Sequence, residues 1–249
     1  MSCKILLNIG FAGSGKSTFT STCFNYLSNQ NKKVYIVNLD PAVKNLPFSP
    51  NLDIRDTINY KDVMESYKLG PNGAITTCLN IFVTKIDQIV DILTSKRDTY
   101  DYILIDVPGQ IEAFTWSVSG EIIFKALKKT GMDIDLYYIM DAHKCVDYST
   151  FVSNMLYSCN VVNKLDANAK LIFNKSEYPE TCNTIESYIK NEIGYTGGSD
   201  GGYGGSDDYY KSLLEDIHDT FESLFSTYKR YYVSSTRCLG IQDLFTQVL

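Results

Sequence analysis

Residues Gly10-Phe-Ala-Gly13-Ser14-Gly15-Lys16-Ser17 spell G-x-x-x-x-G-K-S and follow directly on the apolar run Ile5–Ile9. That spacing suits polyphosphate chemistry. Glycines let the chain fold tightly enough for its N–H groups to converge on an anion. Lys16 supplies a cation to the terminal phosphates, and the Ser17 hydroxyl supplies a ligand for Mg²⁺. A helix expected to start near Lys16, with Thr18 in its first turn, aims the positive end of its dipole at the same anion. The expected phosphate-binding residues are therefore Gly13, Ser14, Gly15, Lys16, Ser17 and Thr18.

Further polar residues stand at the ends of other apolar runs. Asp106-Val-Pro-Gly109-Gln110 follows Tyr102–Ile105. An Asp at the carboxyl end of a neighbouring strand can hold Mg²⁺ opposite Ser17, the Gly109 N–H can approach a γ-phosphate, and Gln110 can orient an attacking water. Asn38-Leu-Asp40-Pro41 ends a second run and places Asp40 near the same metal or the lytic water. The competing reading of each is a strand-ending turn. Asn174-Lys175-Ser-Glu177 resembles the N-K-x-D base-reading motif of GTPases, with Glu in place of Asp. Its carboxylate would accept from two guanine donors that adenine does not present together, while the Lys175 stem packs on the ring. Val233-Ser-Ser235-Thr is the matching loop, whose backbone N–H could meet the base carbonyl. Gly70-Pro71-Asn72-Gly73 reads by composition as a simple turn. His143 and His218, the two histidines, show no metal-ligand spacing and no role.

The elements that must position these residues alternate. Strand-like runs are 4–9, 34–38, 102–106, 136–140, 170–173 and 231–233. Helical spacing falls between them, at Phe19/Cys23/Tyr26/Leu27, Ile86/Ile89/Val90/Leu93, Phe151/Met155/Leu156/Cys159 and Leu213 to Phe225. Such alternation predicts an α/β fold, a mostly parallel sheet with helices on both faces. The 249 residues read as one domain, with a flexible Gly-rich insertion at about 194–208. Net charge −6 and a pI near 5.0 argue against nucleic acid or an anionic membrane as the main partner. The seven cysteines are odd in number and lack a C-x-x-C pair, which fits reduced thiols in the cytosol or nucleus. The N-terminal apolar stretch is too short for a signal peptide, and no apolar run reaches the eighteen residues of a membrane span.

In this order the pieces resemble the GPN-loop GTPases. The resemblance rests on Gly10–Ser17, Asn38–Ala42, Asn51–Asp56, Leu69–Gly73, Asp106–Glu112 and Asn174–Glu177, and is dense over residues 4–160. Phe114–Gly120 looks most like the eukaryotic first paralogue, the XPA-binding-protein type. The resemblance implies a P-loop NTPase of the signal-recognition/MinD-like class, hydrolysing GTP to GDP with Mg²⁺. It implies a dimer, homomeric or with a sister paralogue, in which the Gly70-Pro71-Asn72 segment of one subunit reaches the partner's nucleotide. It also implies a role in assembly and nuclear import of RNA polymerase II, with shuttling between cytoplasm and nucleus. Glu177 stands where that family usually has Asp, so the expected guanine preference carries a smaller margin. Two other functions share the phosphate loop: a nucleotide-gated scaffold with little hydrolysis, and a small-molecule kinase. The second is disfavoured because kinases gather arginines at the transferred phosphate, and this chain has only four.

Overall fold

The computed structural model describes residues 3–190 and 228–246. The Gly-rich stretch at 194–208, the apolar stripe from Leu213 to Phe225 and His218 lie outside the described residues. Seven strands, β1 Lys4–Ile9, β2 Val34–Asn38, β3 Leu52–Asp53, β4 Tyr102–Asp106, β5 Asp133–Asp141, β6 Asn168–Asn174 and β7 Lys229–Val233, form one sheet. Its order is β3-β2-β4-β1-β5-β6-β7, and every pairing among these strands is parallel. Their carboxyl ends therefore share one edge of the sheet, the edge where ligands bind in open parallel folds.

The helices are α1 Lys16–Asn29, α2 Tyr60–Tyr67, α3 Pro71–Val83, α4 Ile86–Lys96, α5 Ile111–Thr115, α6 Val118–Lys129, α7 Tyr148–Leu165 and α8 Pro179–Ile189, with a short helix at Ile241–Thr246. The pleat of β1 divides them. Ile5, Leu7 and Ile9 point into a core shared with Val63 of α2, Leu79 of α3, Phe124 of α6, Phe151 of α7 and Ile185 of α8. Leu6 points the other way, into a core with Phe19, Cys23 and Leu27 of α1 and Leu244 of the short helix. Helices thus cover both faces, as the alternation predicts.

Three details differ from the expectation. The two-residue β3 has no apolar run of its own; it is set by pairing with β2 and by the Asn51 side chain, whose Oδ1 accepts from Ile36 N–H at 2.8 Å. Strands β5, β6 and β7 start two or three residues earlier than their apolar runs, at Asp133, Asn168 and Lys229. For β5 a buried ion cluster explains the polar start: Asp135 Oδ2 lies 3.3 Å from Lys4 Nζ and 3.0 Å from Lys170 Nζ. Finally, Gly70–Gly73 opens a helix. Gly70 is the cap residue of α3 with φ −72°, and Pro71 takes the first helical position, where its missing N–H costs nothing.

Candidate functional site

The turn from β1 into α1 is built around two left-handed glycines, Gly13 at φ 79° and Gly15 at φ 89°. At Gly15 a side chain is excluded twice, because a Cβ would also stand 2.5 Å from Asn174 Nδ2. Lys16 is buried at 6% exposure, and its Nζ donates to the carbonyls of Gly10 (2.8 Å) and Phe11 (3.0 Å). Burial lowers its pKa, opposed by the charges of Asp106 and Asp40. Ser14 is also buried, and its Oγ has no hydrogen-bond partner among the described residues. Thr18 is exposed on the first turn of α1.

Strand register supplies the acidic side. Asn8 of β1 and Asn38 of β2 both pair with Asp106 of β4, so the residues that follow these strands emerge together. Ser17 Oγ donates to Asp106 Oδ2 at 2.6 Å. Asp106 is 1% exposed, and burial pushes its carboxyl up to about 7, opposed by the Ser17 hydrogen bond and by Lys16, and reinforced by Asp40. Its other oxygen, Oδ1, is buried without a hydrogen-bond partner among the described residues. A buried carboxylate oxygen left unsatisfied beside a hydroxyl is a hard-oxygen donor set suited to Mg²⁺. Ser17 and Asp106 fit that ion. Asp40 fits it less directly, since Oδ1 accepts from Ala42 N–H (2.9 Å) and Oδ2 from Gly109 N–H (3.2 Å). The Gly109 N–H, expected to face a phosphate, is thus held by Asp40. Burial raises the Asp40 pKa, against these two hydrogen bonds and Lys16.

At the other end, Asp141 of β5, Asn174 of β6 and Val233 of β7 are paired in register. Asn174 Nδ2 donates to Ser14 O (2.8 Å), and its Oδ1 accepts from Ser235 Oγ (2.7 Å) and Ser235 N–H (3.2 Å). The Ser235 N–H expected to meet a base therefore serves the motif's own asparagine. Lys175, at φ 66°, bonds Gly13 O (2.8 Å) and Asp141 Oδ2 (2.6 Å), tying the phosphate loop to the ends of β5 and β6. Glu177 Oε1 accepts from Ser234 Oγ (2.6 Å) and Thr236 Oγ1 (3.2 Å), while Oε2 lies 3.5 Å from His143 Nε2. Sequence reasoning assigned His143 nothing. The signal it overlooked is topological: neighbouring parallel strands bring the residues just past Asp141 beside those just past Asn174.

Asn72 and Gln110, far apart in sequence, line one cleft of about 440 Å³ between α3 and α5, together with Thr76 and Glu112. A Cβ added at Gly109, next to Gln110, would stand 3.8 Å from the Ala12 side chain of the phosphate loop.

The parallel sheet and the Lys16/Ser17/Asp106 constellation define the class: a P-loop NTPase architecture. The family model described as "Conserved hypothetical ATP binding protein" matches residues 8–249, and this chain belongs to that family. It is 48% identical over 179 residues to GPN-loop GTPase 1 of Schizosaccharomyces pombe, covering 72% of this chain and 48% of that protein. With GPN-loop GTPase 1 of Dictyostelium discoideum it shares 36% identity over 252 aligned positions, covering 98% of this chain and 60% of the relative. This is clear homology to the GPN-loop GTPases, and the chain spans about half to two thirds of the length of these curated relatives. A crystal structure of a GTPase in apo form from Pyrococcus abyssi superposes with a TM-score of 0.80 at 27% identity, covering 98% of this chain and 95% of that one.

Proposed function

We propose that this chain is a Mg²⁺-dependent GTPase that hydrolyses GTP to GDP and phosphate and works as a dimeric switch. The observation that carries the reading is the Ser17–Asp106 hydrogen bond of 2.6 Å beside the unsatisfied Asp106 Oδ1, next to the buried Lys16. Backbone N–H groups of Gly13 to Thr18 and the Lys16 ammonium bind the β- and γ-phosphates, and Ser17 and Asp106 hold the metal. When bound, Mg²⁺ offsets the negative charge that builds on the phosphate oxygens. Gln110, with Asp40, orients water in line with the γ-phosphorus. The water oxygen bonds to phosphorus, the bond to the bridging β–γ oxygen breaks, GDP leaves with that electron pair, and a proton of the water passes to an oxygen of the departing phosphate. Glu177 reads guanine through Oε2, the carboxylate oxygen that takes no hydrogen bond from Ser234 or Thr236.

The Gly70-Pro71-Asn72 segment supports a dimer, homomeric or with a sister GPN-loop GTPase, in which Asn72 acts across the interface. The resemblance at Phe114–Gly120 supports the first-paralogue assignment, and with it a role in RNA polymerase II assembly and nuclear import from the cytoplasm. We read the chain as a single GTPase domain. Calorimetry with GTP and ATP, in Mg²⁺ and in EDTA, tests the binding half. Mg²⁺-dependent binding that is tighter for GTP is expected. No binding, or binding indifferent to the metal, overturns the reading.

A further inference from the structure

Glu177 is held at both carboxylate oxygens by side chains from two other segments. Ser234 and Thr236 follow β7 and meet Oε1 at 2.6 and 3.2 Å. His143 follows β5, and its Nε2 stands 3.5 Å from Oε2. The Ser234 side is itself rigid. Ser234 and Leu239 exchange both backbone hydrogen bonds at 3.1 Å, and Arg237 N–H donates to Ser234 Oγ at 3.2 Å. His143 is fixed at its backbone by Asp141 Oδ1 (3.2 Å), and its ring lies 5.8 Å from that of Tyr178. A Glu arm has one more rotatable bond than the Asp usual at this position, and so more freedom to lose when it engages a base. Here that freedom is already removed: the side chain is only 12% exposed. Burial alone would push the carboxyl up, but the bonds from Ser234 and Thr236 bring it below the ordinary range, so the group stays ionised at neutral pH.

We propose that His143, together with Ser234 and Thr236, positions the Glu177 carboxylate for guanine, so that base selectivity depends on residues outside the Asn174–Glu177 motif. The inference rests on the guanine reading above. His143 is a positioning residue, acting through Glu177. Preorganised acceptors discriminate because the wrong base leaves them unpaired.

The test is calorimetric titration of GDP and ADP, with Mg²⁺, into wild type, His143→Ala, His143→Gln, Ser234→Ala, Glu177→Asp and Glu177→Asp/His143→Ala. The two nucleotides share their phosphate contacts, so ADP controls for folding and for the phosphate loop. Expected is a loss of GDP affinity of roughly tenfold in Ser234→Ala, the size of one hydrogen bond to a charged group, and a loss of similar size in His143→Ala, where the imidazole contact to Oε2 goes, with ADP unmoved. His143→Gln, which keeps a donor, restores most of the loss. In the Glu177→Asp background the shorter arm leaves the imidazole behind, and His143→Ala has no further effect. A wild-type GDP preference that survives both His143→Ala and Ser234→Ala overturns the clamp and leaves the guanine reading standing. So does a parallel loss of GDP and ADP. Equal wild-type affinity for GDP and ADP overturns both.

Discussion

Lys16 is the most consequential single residue. Its ammonium is buried against the Gly10 and Phe11 carbonyls and lies within electrostatic reach of Asp106 and Asp40, and the proposed function assigns it to the terminal phosphates. Lys16→Ala is expected to remove tight triphosphate binding, a loss on the order of 1.5–3 kcal/mol or more, because the contact is charge-assisted and shielded from water. The helix itself should survive, since Phe19 N–H bonds Gly15 O whatever the side chain at 16. Unchanged GTP affinity by calorimetry would remove Lys16 from the site. Gln110 is proposed to act on the water and not on the ground-state ligand. Gln110→Leu should therefore slow hydrolysis with GTP affinity preserved. Equal single-turnover rates would leave Asp40 as the water-positioning group.

Between residue and molecule, a chain of side chains fixes the segment that carries Asp40. Arg55 forks onto Asp53 (Nη2 to Oδ2, 2.7 Å), Asp53 Oδ1 accepts from Asn38 Nδ2 (2.9 Å), and Asn38 Oδ1 accepts from Asp40 N–H (3.1 Å). Burial alone would raise the Asp53 pKa, but the Arg55 and Asn38 bonds outweigh it and hold the carboxyl below its ordinary range. The unfolded chain then takes up this proton first as pH falls. Stability from the pair is present above about pH 4 and lost as pH drops through the folded value. Arg55→Ala should cost about 1–3 kcal/mol in urea unfolding at pH 7, since it leaves a buried carboxylate unpaired. The difference from wild type should shrink near pH 3; a difference that does not change with pH would contradict the assignment. Elements of this kind were only partly legible in the sequence. Strands β1, β2 and β4 announce themselves because each is a short apolar run: β1 leads straight into the phosphate loop, and β2 and β4 end at Asn38 and Asp106. Strand β3 does not, because pairing with β2 makes it and composition does not. Helix α3 was hidden by Gly70-Pro71-Asn72-Gly73, whose residue types suit a turn equally well, although the buried Ala74, Ile75, Cys78, Leu79 and Phe82 carry the helical period. The phosphate loop could be read because its spacing is local, and Asp40 and Asp106 because each opens or closes a short motif at the end of an apolar run. The His143–Glu177 contact could not, because it depends on which strands are neighbours.

At the scale of the whole molecule, the sheet order brings the ends of β1, β2 and β4 to one half of the site and those of β5, β6 and β7 to the other. Lys175 and Asn174 stitch the halves together through the Gly13 and Ser14 carbonyls. Asn72, exposed at the start of α3, shares the cleft of Gln110. If Asn72 serves only its own helix, Asn72→Ala costs little stability and leaves hydrolysis normal. As a residue borne to a partner's nucleotide, it predicts reduced turnover with dimerisation largely kept, and wild-type specific activity that rises with protein concentration through the dimerisation range. Normal hydrolysis by the mutant together with flat wild-type activity would exclude the shared site. The central claim, that this chain hydrolyses GTP with a metal held by Ser17 and Asp106, is tested most directly by single-turnover phosphate release, with protein in excess over GTP, in Mg²⁺ and in EDTA, for wild type and Asp106→Asn. Release of one phosphate per GTP is expected in wild type with Mg²⁺, and release near the uncatalysed rate in EDTA or in the mutant. Bound GTP that stays intact in wild type with Mg²⁺, or release that ignores both the metal and Asp106, would contradict it.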